Sequence, residues 1–339
     1  MARRAAMGKP AWFMTLLIMS SLCLSSWARA QENVKLAQTG MQFLSVISDA
    51  RAAAMAGAVT TMRMESASLF FNPAGMAETD RTFHLSGSYN LWIADIKHYT
   101  ASVSFRPVSG DLGVFGLSFQ YVDYGEILGT SIANTDIGYV DDGPLKAFGI
   151  AIGLGYARAL SDAFSVGGQV RWVSQKLGQS LVPSVDGMTV RQNKASNFGV
   201  FDFGTIFKPG FKSFAFGMSV RNFSKEIQFQ DQSFELPLTF TLGFSMDVMD
   251  LMSDRSFISS AYVSVDAVHN RDYHEQVFVA GDVTMLDALS LRAGYITSSD
   301  EQGFTMGFGV HQSGFAADFA YTPFGVFDNV IRYTISFSM

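Results

Sequence analysis

The sequence predicts an all-β membrane protein, a 14-stranded antiparallel outer-membrane β-barrel with an N-terminal lumenal plug containing short helices. Three observations carry this. From Arg81 onward apolar and polar residues alternate with period two in segments of about ten residues, the length a tilted barrel strand needs to span a bilayer. Charged residues make up only 16% of the chain while aromatics reach 14%, with 31 Phe and 31 Gly, too little charge to cover a water-soluble surface. The chain opens on an export signal.

That signal occupies residues 1–30. Arg3, Arg4 and Lys9 precede an apolar run from Ala11 to Leu24, and Ala28-Arg29-Ala30 supplies a small-residue cleavage site before Gln31. Cys23 raises a lipoprotein reading, but Leu22 before it is not small and the Ala-x-Ala site competes with it. The expected mature chain has no cysteine, which argues against disulfides and thiol or zinc–cysteine chemistry. It keeps 20 basic against 30 acidic residues, so nucleic acid is not an expected partner. Beyond the signal no apolar run is long enough for a transmembrane helix.

Residues 31–80 form the N-terminal segment and plug. Gly40 to Glu78 lacks the strict alternation of the rest, and its centre, Asp49 to Ala58, packs Ala around Arg51 and Met55, which suits a thin helix. Asn72-Pro73-Ala74-Gly75 marks a sharp bend, with Pro fixing φ and Gly permitting unusual φ. This stretch is expected to fold into the lumen, with Phe43, Leu44, Arg51, Met55, Asn72, Pro73 and Gly75 as plug and gating residues.

Residues 81–339 form the barrel. The last strand sets Ile331, Tyr333, Ile335, Phe337 and Met339 against Arg332, Thr334, Ser336 and Ser338. Leu238 to Val248 alternates as cleanly. Fourteen such segments fall near 81–93, 97–106, 113–124, 146–158, 163–176, 196–208, 212–222, 238–248, 256–267, 275–284, 289–297, 303–311, 315–322 and 330–339. An even number closes antiparallel without a free edge. The three longest connections, near 125–145, 177–195 and 223–237, follow the third, fifth and seventh strands and so share one side, as the outer loops of bacterial barrels do.

Sorting the faces puts Arg106, Arg171, Asp202, Arg221, Asp266, Asp282, Arg292, Asp318 and Arg332 opposite the apolar face. Such a mixed set predicts paired charges in a filled interior rather than the single-sign ring of an ion-selective pore. Arg51 of the plug is expected to pair with Asp202, Asp266, Asp282 or Asp318, because an unpaired charge in a confined interior is costly. Glycines 149, 153, 155, 167, 243, 307 and 309 mostly share the inner face and leave room for an inserted segment.

No catalytic, cofactor or metal site is expected. Gly153-Leu154-Gly155-Tyr156 lacks the third glycine of a dinucleotide loop, Asp136, Asp141 and Asp142 lack EF-hand spacing, and His98, His269, His274 and His311 lack metal-ligand spacing. His84-Leu85-Ser86 resembles the His-x-Ser pair of outer-membrane phospholipases, yet Gly87 stands where that family has Asn and the pair faces inward.

Gly40-x-x-Phe43-Leu44, Ala50-Arg51-Ala52, Met55-x-Gly57-Ala58 and Phe71-Asn72-Pro73-Ala74-Gly75 together resemble the N-terminal signature of the PorV/PorQ family, outer-membrane proteins related in fold to the FadL long-chain fatty-acid channel. The resemblance continues through Leu154-Gly155-Tyr156-Ala157-Arg158 and Leu291-Arg292-Ala293-Gly294-Tyr295; Met64-Glu65 departs from the family's acidic pair. It implies a plugged 14-stranded barrel and a role in type IX secretion, in which residues 125–145, 177–195 and 223–237 receive secreted proteins through their C-terminal signal domains. The competing expectation is a FadL-like importer of long-chain fatty acids or other hydrophobic small molecules, with a pocket lined by Phe43, Leu44, Phe70 and Phe71 and a lateral gap in the wall. A purely structural outer-membrane protein is a third reading.

Overall fold

The computed structural model describes residues 39–339 apart from 108–111, 133, 184–188, 226, 230–231, 253–256 and 300–301. The expected signal peptide and residues 31–38 lie outside the described residues.

Where the sequence alternates, the chain pairs. The strands are β1 (Phe83–Leu91), β2 (Lys97–Phe105), β3 (Val114–Ile132), β4 (Tyr139–Ser161), β5 (Phe164–Pro183), β6 (Thr189–Phe207), β7 (Ala215–Phe223), β8 (Ile227–Phe229), β9 (Gln232–Phe234), β10 (Thr239–Asp247), β11 (Ile258–Asn270), β12 (Gln276–Met285), β13 (Leu289–Ile296), β14 (Phe304–Gln312), β15 (Phe315–Thr322) and β16 (Val330–Ser338). All but β8 and β9, which pair with each other, form one closed barrel of fourteen antiparallel strands. Closure is made by β1 against β16, from His84 opposite Ser338 to Leu91 opposite Ile331. Each of the fourteen expected segments coincides with a barrel strand.

The faces follow the period. In β13, Leu289, Leu291, Ala293 and Tyr295 point out, while Ser290, Arg292, Gly294 and Ile296 are buried inside. The outward side carries exposed Leu85, Phe115, Leu117, Leu154, Val170, Phe203, Leu291 and Ile335. A charge placed there near a bilayer midplane would cost about 2–4 kcal/mol, which explains why this face is apolar. Among the described residues no helix is long and apolar enough to cross a membrane.

Two of the expected outer loops are strands for most of their length. β3 with β4, and β5 with β6, run on past their neighbours: β2 stops pairing with β3 at Lys97 opposite Asp123, and β4 with β5 at Phe148 opposite Lys176. Above those points β3 and β4 continue as a two-stranded ribbon as far as Ile132 opposite Tyr139. Ladder bonds satisfy backbone groups that a loop would leave to water. Bulges between Asp123 and Glu126, and between Gly129 and Thr130, interrupt the alternation and so hide the strands from a periodicity search. The third connection contains the β8–β9 hairpin.

The segment from Thr39 to Thr79 runs down the lumen. It begins at the long-connection end, where the Gly40 amide donates to the Glu235 carbonyl at 3.0 Å and Gln42 donates to Asp272 at 2.7 Å. It ends at the short-turn end, where Glu78 pairs with Lys208 and Ser165 donates to Glu78 at 2.8 Å. Its helix is shorter than the Ala-rich stretch suggests, only Ala50–Ala54, capped by the Asp49 carboxylate accepting from the Ala52 amide. Gly57, at φ 85°, ends the turn that follows. The Asn-Pro-Ala-Gly stretch starts a 3-10 helix, Pro73–Glu78, with Asn72 as its cap and Pro at the tolerated first position.

Candidate functional site: the interior of the barrel

The wall receives the inserted segment where it has no side chains. A Cβ at Gly167 would lie 2.5 Å from the backbone of Pro73 and Ala74, one at Gly294 would lie 2.6 Å from the backbone of Met55, and one at Gly307 would lie 2.6 Å from the Ala54 side chain. Gly149 makes room for Phe43, Gly155 for Leu69, Gly243 for Thr60 and Gly204 for Asn72. Gly153 and Gly309 serve the wall itself, beside Arg171 and the Arg292–Asp318 pair respectively.

Hydrogen bonds then fix the depth of the segment. Arg332 donates to the Ile47 carbonyl at 2.7 Å, Arg221 to the Phe70 carbonyl at 2.8 Å, and Gln120 to the Phe43 carbonyl at 2.7 Å. Arg106 lies one residue beyond the end of β2 and donates to the Thr79 carbonyl, so it anchors the end of the plug rather than lining a strand face. Asn72 donates to Thr60 at 2.8 Å and Thr205 at 3.1 Å and accepts from the Ala74 amide at 3.1 Å, tying two parts of the segment to β6. Met55 is fully buried, and Gly75 packs against Ser68.

The inner charges fall into separate sets. Arg171 pairs with Asp202 at 2.7 Å, and the same carboxylate accepts the Asn222 amide at 2.7 Å. Arg292 bridges Asp282 at 3.1 Å and Asp318 at 2.5 Å, and Arg51 reaches Asp282 at 3.2 Å. Asp266 accepts the Thr60 amide at 3.0 Å. Arg332 also donates to Thr322 at 2.8 Å and lies 5.4 Å from the Trp92 ring centroid, a cation–π contact. His84 and Ser86 are buried, and His84 Nδ1 lies 2.7 Å from the Ser66 hydroxyl, tying wall to plug.

Among the described residues, two hollows lie beside the plug. The inner one has a volume of about 20 Å³, room for one water, and is bounded by Leu44, Ile47, Phe70 and Phe71 from the plug and by Arg171, Asp202, Arg221 and Asn222 from the wall. The second, about 600 Å³, lies at the short-turn end between Arg51, Met62, Arg63, Glu78, Lys208 and Tyr262. Phe43 does not reach the inner hollow. It packs with Met41 and Leu44 on Val122, Ala151, Val173 and Val200, an apolar belt on the inner face. Among the described residues the barrel strands pair in one closed ring. The wall is irregular beside the inner hollow, where the register jumps from Phe201 opposite Phe223 to Phe203 opposite Val220 and Asn222 sits at φ 61°.

Periodicity reasoning passed over the apolar belt, Asn222, and the inward-facing Tyr262 and Phe278, which pack on the plug. The signal for the belt was available: Val122, Val173 and Val200 occupy inner positions that are polar elsewhere.

Comparison with solved structures finds the fold of this closed fourteen-stranded barrel in FadL-like proteins. CymD, a monoaromatic hydrocarbon channel, matches with a TM-score of 0.55 at 12% identity over 86% of this chain and 97% of its own. The Pseudomonas putida toluene transporter TodX matches at 0.55 with 13% identity over 85% and 96%, and a Pseudomonas aeruginosa FadL homologue at 0.50 with 12% identity over 86% and 98%. No family model matches the sequence, and no curated protein matches it.

Proposed function

We propose that this protein is an outer-membrane channel for hydrophobic small molecules, held shut here by its plug. The observation that carries the reading is the inner hollow: Leu44, Ile47, Phe70 and Phe71 present apolar side chains to a pocket at the heart of a barrel whose fold is that of CymD and TodX. At about 20 Å³ it excludes any hydrocarbon until the plug shifts. The residues from Phe43 to Gly75 named above then act as the gate, and the long-connection end faces outward. The chemistry asked of this site is binding and passage, with outer-membrane lipid around it.

A second reading, reception of secreted proteins through C-terminal signal domains as in type IX secretion, draws on the β3–β4 ribbon, which runs past the ends of its pairing with β2 and β5. One experiment separates the two. The protein is purified from its native outer membrane in mild detergent, and bound compounds and proteins are both identified by mass spectrometry. A stoichiometric apolar compound supports the channel, and its absence together with enrichment of exported proteins would replace the channel reading with the second.

A further inference from the structure

The two hollows are separated by one cluster. Ala52, Met55, Ala58, Val59, Met62, Met64, Ala67 and Phe71 of the plug pack with Ala280 of the wall, flanked by Ile47, Phe70, Tyr262 and Phe278. Its upper members Ile47, Phe70 and Phe71 line the inner hollow, and its lower members Met62 and Tyr262 line the large hollow at the short-turn end. The cluster therefore lies between the residues that line the one hollow and those that line the other.

Several other contacts between plug and wall are of kinds that resist opening. At β6 and β7 the plug is held by the hydrogen bonds from Asn72 to the Thr205 carbonyl and from Arg221 to the Phe70 carbonyl, whose displacement would strand buried polar groups. Against β5, β13 and β14 its backbone or Ala54 lies on Gly167, Gly294 and Gly307, where there is no side chain to move. On the wall side the upper apolar belt consists of stiff Val122, Val173 and Val200 with Ala151. The central cluster instead holds three methionines, unbranched side chains with three rotatable bonds that change shape without breaking a hydrogen bond.

We propose that Met55, Met62 and Met64 form the yielding gate, and that hydrophobic molecules pass between them from the inner pocket to the hollow bordered by Arg51, Arg63 and Lys208. The width these three side chains allow sets the size of molecule that passes. This rests on the channel reading.

The test uses the full chain in outer membranes of a host lacking its own hydrocarbon channels, with uptake of radiolabelled toluene and oleate as the readout. Met62→Ala with Met64→Ala should raise uptake several-fold, more for oleate than for toluene. Met55→Ile with Met62→Ile, which keeps volume but stiffens the gate, should lower it. Retention of the heat-modifiable barrel band on gels shows that each variant is folded, and the milder Met62→Leu serves if the doubles are not. Met62→Cys should also react with a thiol reagent in the short-turn hollow, and saturating oleate should protect it. Uptake by the parent with all the methionine variants unchanged would overturn the gate and leave the channel standing. No uptake of either probe by the parent, with no probe retained on purified protein, would overturn both.

Discussion

The Asn72 carboxamide occupies the space that a side chain at position 204 would need, so a wall glycine and a plug cap are made for each other. Asn72 uses that space to bond Thr60 and Thr205 at once. Gly204→Val should therefore expel Asn72 from its seat and cost about 1–3 kcal/mol in plug docking, as overpacking does. The measurement is conductance in planar bilayers, where the variant should leak and the parent should not. A tight Gly204→Val barrel would mean that the plug tolerates displacement at this point.

Arg51 and Arg292 share Asp282, but unequally. Removing Arg51 leaves Asp282 paired with Arg292, whereas removing Arg292 leaves Asp318 without its 2.5 Å partner as well. Arg292→Met should cost roughly 3–5 kcal/mol, the usual penalty for stranding a buried charge, and Arg51→Met clearly less. Thermal unfolding of the two variants in detergent gives the order, and equal losses would contradict it.

Asp49 lies on the plug rather than on a spanning strand, and burial pushes its carboxyl up to about 6, against the opposing hydrogen bond from the Ala52 amide. Its folded value therefore exceeds its unfolded one. Between the two the folded state holds the extra proton, so this group's contribution is full at low pH and is lost as pH rises through about 6. Asp49→Asn keeps an Asx cap on the helix and should flatten this part of the profile. Plug release, followed by protease accessibility between pH 5 and 7, should become easier with rising pH in the parent and stay level in the variant.

Phe71 is buried between the inner hollow and the methionine cluster. Phe71→Ala should enlarge that hollow, lower stability by about 3–5 kcal/mol and increase binding of an apolar fluorescent dye to the purified barrel. Unchanged dye binding in a folded variant would remove Phe71 from the pocket.

The β3–β4 ribbon pairs with neither neighbour beyond Asp123 and Phe148. Replacing residues 129–143 with a short turn should leave barrel assembly and hydrophobic uptake intact. Loss of a co-purifying exported protein with uptake preserved would assign the ribbon to that partner.

The sequence by itself determined the barrel. Fourteen alternating segments and the sidedness of charges such as Arg292 and Asp318 were legible, because which face a strand residue takes depends only on its place in a two-residue period. The lengths of β3 to β6 were not legible, since register shifts between Asp123 and Glu126, between Gly129 and Thr130, and between Lys176 and Gln179 break that period. Only the tertiary structure decided that Arg51 meets Asp282, that Arg332 and Arg221 hold carbonyls of the plug, and that Phe43 lies on Val122 away from the hollow near Phe70. Those pairings depend on strand stagger and on how deep the plug sits, quantities fixed by close packing on Gly167, Gly204 and Gly294 between residues far apart in the chain, which no local pattern records.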